Sequence, residues 1–209
     1  MKKNIAVNKG NETTIKLYKI KRKTGFNPSD LAYSLAKAFQ VFNEEDFKVQ
    51  IIHNRFNKTI VDNEIRYKKL NKEFTWDFPL HPDFMDYRYE YADKVKGTII
   101  SALETVPADM RGIALFSRSK LVNNYDFYDV QATSHGYSYL TGWLHIDFID
   151  EWQTDVISTN RQSLNWEMEE TEDLKQYLQA VIYKIYNEQR HKRRENKKKA
   201  VLEQSGINL

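Results

Sequence analysis

The sequence predicts an α+β fold, in which a mixed or antiparallel sheet carries helices on one face and the chain ends in a long helix. Apolar runs with strand-like alternation recur between residues 47 and 149. A helix start stands at residues 27–30, and an apolar stripe at helical spacing runs from Leu174 to Tyr186. The helices are therefore expected to pack on a mixed or antiparallel sheet.

The composition is that of a folded protein without disulfides. The chain has 209 residues, enough for one large or two small domains, and 41% of them are hydrophobic, enough for a core. Its net charge of +3 is too small to predict nucleic-acid binding by itself. The absence of cysteine excludes cysteine-based zinc sites and fits a reducing cytoplasm, where we expect the protein. No apolar run is long enough for a transmembrane helix, so no membrane partner is expected.

Residues 1–62 are predicted to form an entry unit of a strand, a helix and a hairpin. Apolar residues alternate with lysine over residues 13–21, which indicates a strand with one solvated face. Asn27 as cap, Pro28 at the first helical position and Asp30 in the first turn predict a helix over residues 28–42. Residues 47–53 and 58–61 read as two strands joined by a turn.

Residues 63–190 are predicted to form the main sheet domain. An aromatic and polar alternation over 73–79 indicates an edge strand that Pro79 ends. Strands are also expected over 97–103 and 112–118, followed by a tight turn at Ser119 and Lys120, whereas residues 123–136 show no clear period. Arg118 and Lys120 are either contacts for phosphate or nucleic acid, or solvated turn charges. The aromatic cluster of residues 82–91 is either a base-stacking platform or part of the core.

The run Trp143–Ile149 carries large apolar groups on both faces and predicts a central, buried strand. It is followed by acids and by a polar loop in which Ser158, Thr159 or Asn160 would cap a short helix. Arg161 would then lie in the first turn, where helix N-terminal amides and a guanidinium together suit a phosphate, and Asn165 would lie one turn further on the same face. The alternative is an ordinary surface arginine, or one paired with an acid such as Asp150.

The last element predicted is a helix that Thr171 caps and that Glu172 and Asp173 favour at its N-terminus. Residues 191–209 then read as a basic flexible tail. The cations Arg190, Lys192, Arg193 and Arg194 are either solvated or contacts for nucleic acid. His135 and His145 lack a third ligand at metal spacing, so no metal site is predicted, and His145 reads as a hydrogen-bonded core histidine.

The block from Ser134 to Trp166, with the pattern I-S-x-x-R-x-x-L near its end, resembles bacterial ATP-binding proteins of the GHKL group. This group includes the ninety-kilodalton heat-shock chaperones, gyrase, MutL and the MORC proteins. The resemblance implies a transducer, or middle, domain whose fold is like the second domain of ribosomal protein S5. It further implies that Arg161 reaches the γ-phosphate of ATP, with Asn160 beside it at the nucleotide and Asn165 as an orienting neighbour.

The same resemblance implies that ATP and Mg²⁺ are bound only by a separate nucleotide domain, in the same or an adjacent chain. This chain has no Walker A motif, no D-x-G-x-G and only seven scattered glycines, so we expect no activity from it alone. It would begin near the end of the nucleotide domain, as a fragment or one half of a split protein, and would couple ATP hydrolysis to clamp closure. A homodimer is left open. The alternative function is a nucleic-acid-binding or scaffold protein that uses the basic tail and the aromatic cluster.

Overall fold

The computed structural model describes residues 21, 24–42, 47–54, 56–85, 87–131, 134–158 and 163–205. Within these ranges the helices are α1, Pro28–Ala38, and α2, Glu169–Ser205. Short 3₁₀ helices lie at Pro82–Phe84, Ala92–Lys94, Ala108–Met110, His135–Tyr139 and Asp147–Glu151. The strands are β1 (Val49–His53), β2 (Asn57–Val61), β3 (Lys72–Phe78), β4 (Lys96–Ala102), β5 (Gly112–Ser117), β6 (Lys120–Asp126) and β7 (Leu140–His145). The predicted α+β class is therefore confirmed.

Five strands form one mixed sheet in the order β3–β4–β7–β5–β6. All neighbours in this sheet are antiparallel except β5 and β7, which are parallel. β7 lies in the middle, so the prediction of a central strand in this part of the chain is confirmed. Its pairing with β4 requires glycine at Gly142, because an added Cβ would lie 2.5 Å from the carbonyl oxygen of Thr98.

The central strand ends earlier than the predicted range 143–149. Ile146 leaves the extended conformation, with φ −129° and ψ 50°, and its amide donates to the Phe116 carbonyl at 2.8 Å. Residues 147–151 then form a 3₁₀ helix that still buries Phe148 and Ile149. The apolar pattern therefore predicted burial correctly, but a strand and a 3₁₀ turn bury such residues equally well.

The strand predictions on either side of β7 are confirmed with small changes of bounds. β3 is an edge strand, and Pro79 follows directly after its last residue. β4 and β5 cover the strands predicted over 97–103 and 112–118. β6, the other edge, was largely missed, because its sequence Lys-Leu-Val-Asn-Asn-Tyr-Asp interrupts the apolar alternation with two asparagines.

α2 covers one face of the sheet, and the predicted apolar stripe is buried throughout. Its members are Leu174, Tyr177, Leu178, Val181, Ile182, Ile185 and Tyr186, and they pack with sheet residues such as Ile99 and Leu144. Thr171 is not the cap that was predicted, because the helix begins at Glu169. The Thr171 hydroxyl instead donates to the Asn165 carbonyl at 2.7 Å and ties the first turn to the preceding loop.

α2 does not end near residue 190. It continues through the basic segment, so residues 191–205 of the predicted flexible tail are helical. Arginine, lysine, glutamate and alanine favour helices, and neither glycine nor proline interrupts this stretch before Gly206. Every residue from 196 to 204 is exposed, so this part of α2 extends beyond the sheet. We call residues 194–204 the projecting segment. None of the described helices combines the length and the apolar character needed to cross a bilayer.

α1 begins as predicted, with the Asn27 side chain accepting a hydrogen bond from the Ser29 amide at 2.9 Å. It ends at Ala38 and not at residue 42, because Phe39 forms a β-bridge with Lys120 of β6. This contact joins the end of the helix to the edge of the main sheet.

The predicted hairpin is formed by β1 and β2, and its inner face packs on α1 in a small core that includes Ala32, Ala36, Phe42 and Val61. The strand predicted over 13–21 lies, apart from residue 21, outside the described residues. Tyr33 of α1 reaches a second cluster around Tyr67 and Ile100, which covers the sheet face opposite α2.

Candidate functional site

The predicted phosphate-contacting residues belong to the connection between Ile157 and Leu164. Arg161 and Asn160 fall within residues 159–162, outside the described residues. The described ends of this connection do not form the predicted helix, because Ile157 and Leu164 make an antiparallel β-bridge. Asn165 therefore lies on one side of a narrow loop base, and the prediction that it follows Arg161 by one helical turn is wrong.

The loop base consists of residues 156–158 and 163–165, and hydrogen bonds hold its two sides together. The Ser158 amide donates to the Ser163 carbonyl at 3.0 Å, and the Asn165 amide donates to the Val156 carbonyl at 2.8 Å. The Ser158 hydroxyl donates to the same Ser163 carbonyl at 2.5 Å. Serine was predicted here as a helix cap, but its short hydroxyl side chain serves to close a loop.

Asn123 of β6 fastens the loop base to the sheet. Its side-chain oxygen accepts from the Leu164 amide at 3.1 Å and from the Trp166 indole nitrogen at 3.2 Å, and its side-chain nitrogen donates to the Asn124 carbonyl at 2.9 Å. Asn123 is only 3% exposed, so this amide is a structural anchor. The sequence analysis did not predict this anchor, although an asparagine directly after the apolar pair Leu121-Val122 could have indicated a buried polar contact.

A groove of about 700 Å³ begins at the loop base and runs along the turn between β5 and β6. The turn contributes Arg118, the start of β6 contributes Lys120, and the segment after the central strand contributes Asp150, Asp155 and Ser158. The structure thus brings the two cations that were predicted as candidate phosphate contacts next to the start of the connection that carries Arg161.

The turn between β5 and β6 is held in an unusual backbone conformation. Arg118 and Ser119 have φ values of 45° and 62°, in the left-handed region that non-glycine residues seldom adopt. The Arg118 amide donates to Asp147 Oδ1 at 2.7 Å, and the Ser119 carbonyl accepts from the Gln40 amide at 2.8 Å. These two contacts stabilise the turn from both sides.

Asp150 orients the Arg118 side chain over the groove. It accepts from the Ser117 hydroxyl at 2.6 Å and forms an ion pair with Arg118 Nε at 3.0 Å, while the Arg118 side chain stays 73% exposed. Of the two acids predicted after the central strand, Asp150 therefore positions the turn, whereas Glu151 pairs with Lys94 at 3.4 Å. Within the described ranges, no three His, Asp or Glu side chains converge on a position suited to a metal ion.

His145 is hydrogen-bonded, as predicted, but it is only partly buried and does not lie in the core. Its Nε2 lies 2.8 Å from Gln40 Oε1, and its ring lies 5.8 Å from the Phe116 ring. Burial lowers the pKa of His145 because the protonated imidazole would lose its hydration.

The four cations predicted as nucleic-acid contacts divide into two pairs. Arg193 donates two hydrogen bonds to Glu73, at 2.6 and 2.8 Å, and one to the Ala102 carbonyl at 3.0 Å. Lys192 forms an ion pair with Glu188 of the same helix at 2.6 Å, and its ammonium group lies 5.4 Å from the Phe74 ring and 5.3 Å from the Trp76 ring of β3. Both therefore fasten α2 to its surroundings, whereas Arg190 and Arg194 are exposed.

The aromatic cluster packs against the core. Tyr89 stacks on Tyr177 of α2 at 4.8 Å between ring centroids, and Tyr91 stacks on Phe148 at 4.7 Å. Burial raises the pKa of Tyr177 to about 12, as expected for a phenol among other rings. The core alternative is favoured over a base-stacking platform, because the ring faces are already covered.

No model of a known protein family matches this sequence, and no curated protein is significantly similar to it.

Proposed function

We propose that this chain is the transducer module of a GHKL-type ATPase and acts on ATP bound by a separate nucleotide domain. The proposal rests on the resemblance of residues 134–166 to that group. In this proposal Arg161 contacts the γ-phosphate and couples the state of the nucleotide to closure of a clamp. ATP and Mg²⁺ belong to the nucleotide domain, which is the partner of the groove.

The observation that carries the proposal is the anchored loop base beside a groove that holds two cations, Arg118 and Lys120, together with the acids Asp150 and Asp155. Arg161 is two residues from Ser163 along the chain, a span of at most about 7 Å. Ser163 is paired with Ser158, which lines the groove together with Arg118 and Lys120. A γ-phosphate in this groove would therefore have three cationic side chains within reach.

The chemistry required of such a module is electrostatic. Phosphoryl transfer gathers negative charge on the oxygens of the transferred group, and a positioned guanidinium stabilises that charge. A side chain that meets the phosphate only when two domains are docked also makes docking depend on ATP, and linkage makes ATP binding depend on docking to the same extent. A loop base held by Asn123 and the serine pair suits this task, because its position is fixed before the nucleotide arrives.

The test uses the complete protein with its nucleotide domain. Arg161→Ala should lower the rate of ATP hydrolysis by about two to three orders of magnitude, the usual cost of one positioned donor, while ATP affinity changes little. Arg161→Lys should recover only part of the rate, because an ammonium group cannot reproduce the planar fork of a guanidinium. Steady-state turnover and equilibrium ATP binding are measured for each variant.

Arg88→Ala provides the matched control, since Arg88 is an exposed arginine on the segment before β4. It should leave both quantities unchanged. Wild-type turnover in Arg161→Ala would contradict the proposed role of Arg161. Purified residues 1–209 should not hydrolyse ATP. If they do, and the activity per mole of protein stays the same through further purification, the proposal as a whole is contradicted.

A further inference from the structure

We propose that the end of α2 is a contact surface for the phosphate backbone of double-stranded DNA. The contact face consists of Arg190, Arg194, Lys197 and Lys198. Residues at spacings of four, seven and eight lie on one side of an α-helix, so these four cations share an arc of about 100°. They span about 12 Å along the helix axis.

The fold leaves this face open. Arg190, Arg194, Lys197 and Lys198 are all exposed, and all residues from 196 to 204 are exposed as well. Arg190 lies over the Tyr186 ring at 5.6 Å, and Lys198 pairs with Glu195 at 3.1 Å while its side chain stays 72% exposed. Arg194 and Lys197 form no ion pair with any described residue. Lys192 and Arg193, by contrast, are engaged by the body of the protein.

The positive charge of the chain is concentrated at this end of α2. Residues 190–204 hold seven Lys and Arg against two Glu, a net charge of +5, whereas the whole chain has +3. The remaining residues therefore carry a net charge of −2. Both acids of the segment, Glu195 and Glu203, lie outside the arc of the contact face.

Duplex DNA matches this surface in charge and in shape. The contact face carries one cation per about 3 Å of helix, and B-DNA carries one phosphate charge per about 1.7 Å of its axis. A single α-helix of about 10–12 Å diameter also fits the major groove, which is about 12 Å wide. Contacts of this kind fix position and carry no sequence information, so we expect binding to DNA of any sequence.

An anionic membrane fits the same surface less well. A helix that lies in a membrane interface needs a large apolar face, but residues 190–199 contain no apolar side chain. In the projecting segment the only large apolar residues are Val201 and Leu202. The segment can therefore attract an anionic surface but has little to insert into it.

The test measures binding of the full chain to a short labelled duplex DNA of arbitrary sequence by fluorescence anisotropy. Four phosphate contacts predict a slope of log affinity against log salt of about −3.6, which raises Kd about 150-fold between 50 and 200 mM salt. The variant R194Q/K197Q/K198Q keeps one contact of the four, so its Kd should rise only about 3.5-fold over the same range. Its affinity at 50 mM salt should fall well below that of the wild type.

The matched control is K48Q/K58Q/K69Q, which removes the same charge from three exposed lysines outside α2. It should keep the wild-type slope, and thermal unfolding checks that both variants are folded. Equal loss of binding in both variants would overturn the proposal, because net charge alone would then explain it. Absence of DNA binding at 50 mM salt, or binding to phosphatidylserine vesicles without binding to DNA, would also overturn it. None of these outcomes bears on the ATPase proposal, since no nucleotide domain is needed.

Discussion

The buried amide of Asn123 offers a direct test of how the loop base is held. Asn123→Ala removes the oxygen that accepts from the Leu164 amide at 3.1 Å and from the Trp166 indole at 3.2 Å. Leu164 is 3% exposed, so its amide cannot turn to water. Trp166 is partly exposed, and its indole nitrogen can recover a water partner.

The expected loss of stability follows from how far the Leu164 amide and the Trp166 indole can reach water. A buried donor left without an acceptor costs about 1–3 kcal/mol. With one donor fully deprived and the other partly, we expect Asn123→Ala to lower the free energy of unfolding by about 2–4 kcal/mol. Asn124→Ala is the matched control, because the neighbouring asparagine is exposed, and it should change the free energy by at most about 0.5 kcal/mol.

Urea unfolding followed by tryptophan fluorescence measures both variants, with the midpoint reporting stability if the slope is unchanged. Trp166→Phe deletes the indole donor, so Asn123→Ala should cost about 0.5–1.5 kcal/mol less in that background. Identical midpoints for Asn123→Ala and Asn124→Ala would refute the view that this amide anchors the loop base. The proposed function further predicts that Asn123→Ala slows ATP hydrolysis with little effect on ATP affinity when the chain acts with a nucleotide domain.

Three further predictions concern the core, the attachment of α2 and pH. Leu178→Ala should lower the free energy of unfolding by about 2–5 kcal/mol in urea, because Leu178 is fully buried between α2 and the sheet. Arg193→Ala should lower the free energy of unfolding by about 1–3 kcal/mol. The loss is smaller than for a fully buried pair because the Arg193 side chain is 31% exposed. The same variant should speed amide hydrogen exchange in the projecting segment. The folded state disfavours protonated His145. As the pH falls below about 6.5, this residue is therefore protonated in unfolded chains before it is protonated in folded chains. Stability measured in urea from pH 8 down to about pH 5 should decline through this range, and His145→Gln should remove that component.

Each of these predictions has a control and a contradicting result. Tyr183→Ala changes an exposed residue of the same helix, and equal midpoints for it and Leu178→Ala would show that the stripe is not part of the core. Arg194→Ala is the neighbour control for Arg193→Ala, and equal stability of the two would mean that the contact with Glu73 contributes nothing. A pH dependence unchanged in His145→Gln would assign the decline to other groups.

Elements that depend on neighbouring residues could be predicted from the sequence alone. The start of α1 depends on Asn27, Pro28 and Ser29, which interact within three positions. The end of β3 coincides with Pro79, which has no amide hydrogen to continue a strand ladder. The buried stripe of α2 could be predicted because its apolar residues recur at helical spacing, and this spacing does not depend on what the helix packs against.

Only the tertiary structure decided how the candidate site is built. Leu164 is 41 residues from Asn123, and Arg193 is 120 residues from Glu73, so no local pattern indicates either contact. The serines of the loop base show the same limit. A serine hydroxyl caps a helix or closes a loop with equal ease, and here the pairing of residues 156–158 with 163–165 selected the loop. Sequence periodicity reports which side chains are buried, but the backbone conformation and the polar contacts depend on residues that only folding brings together.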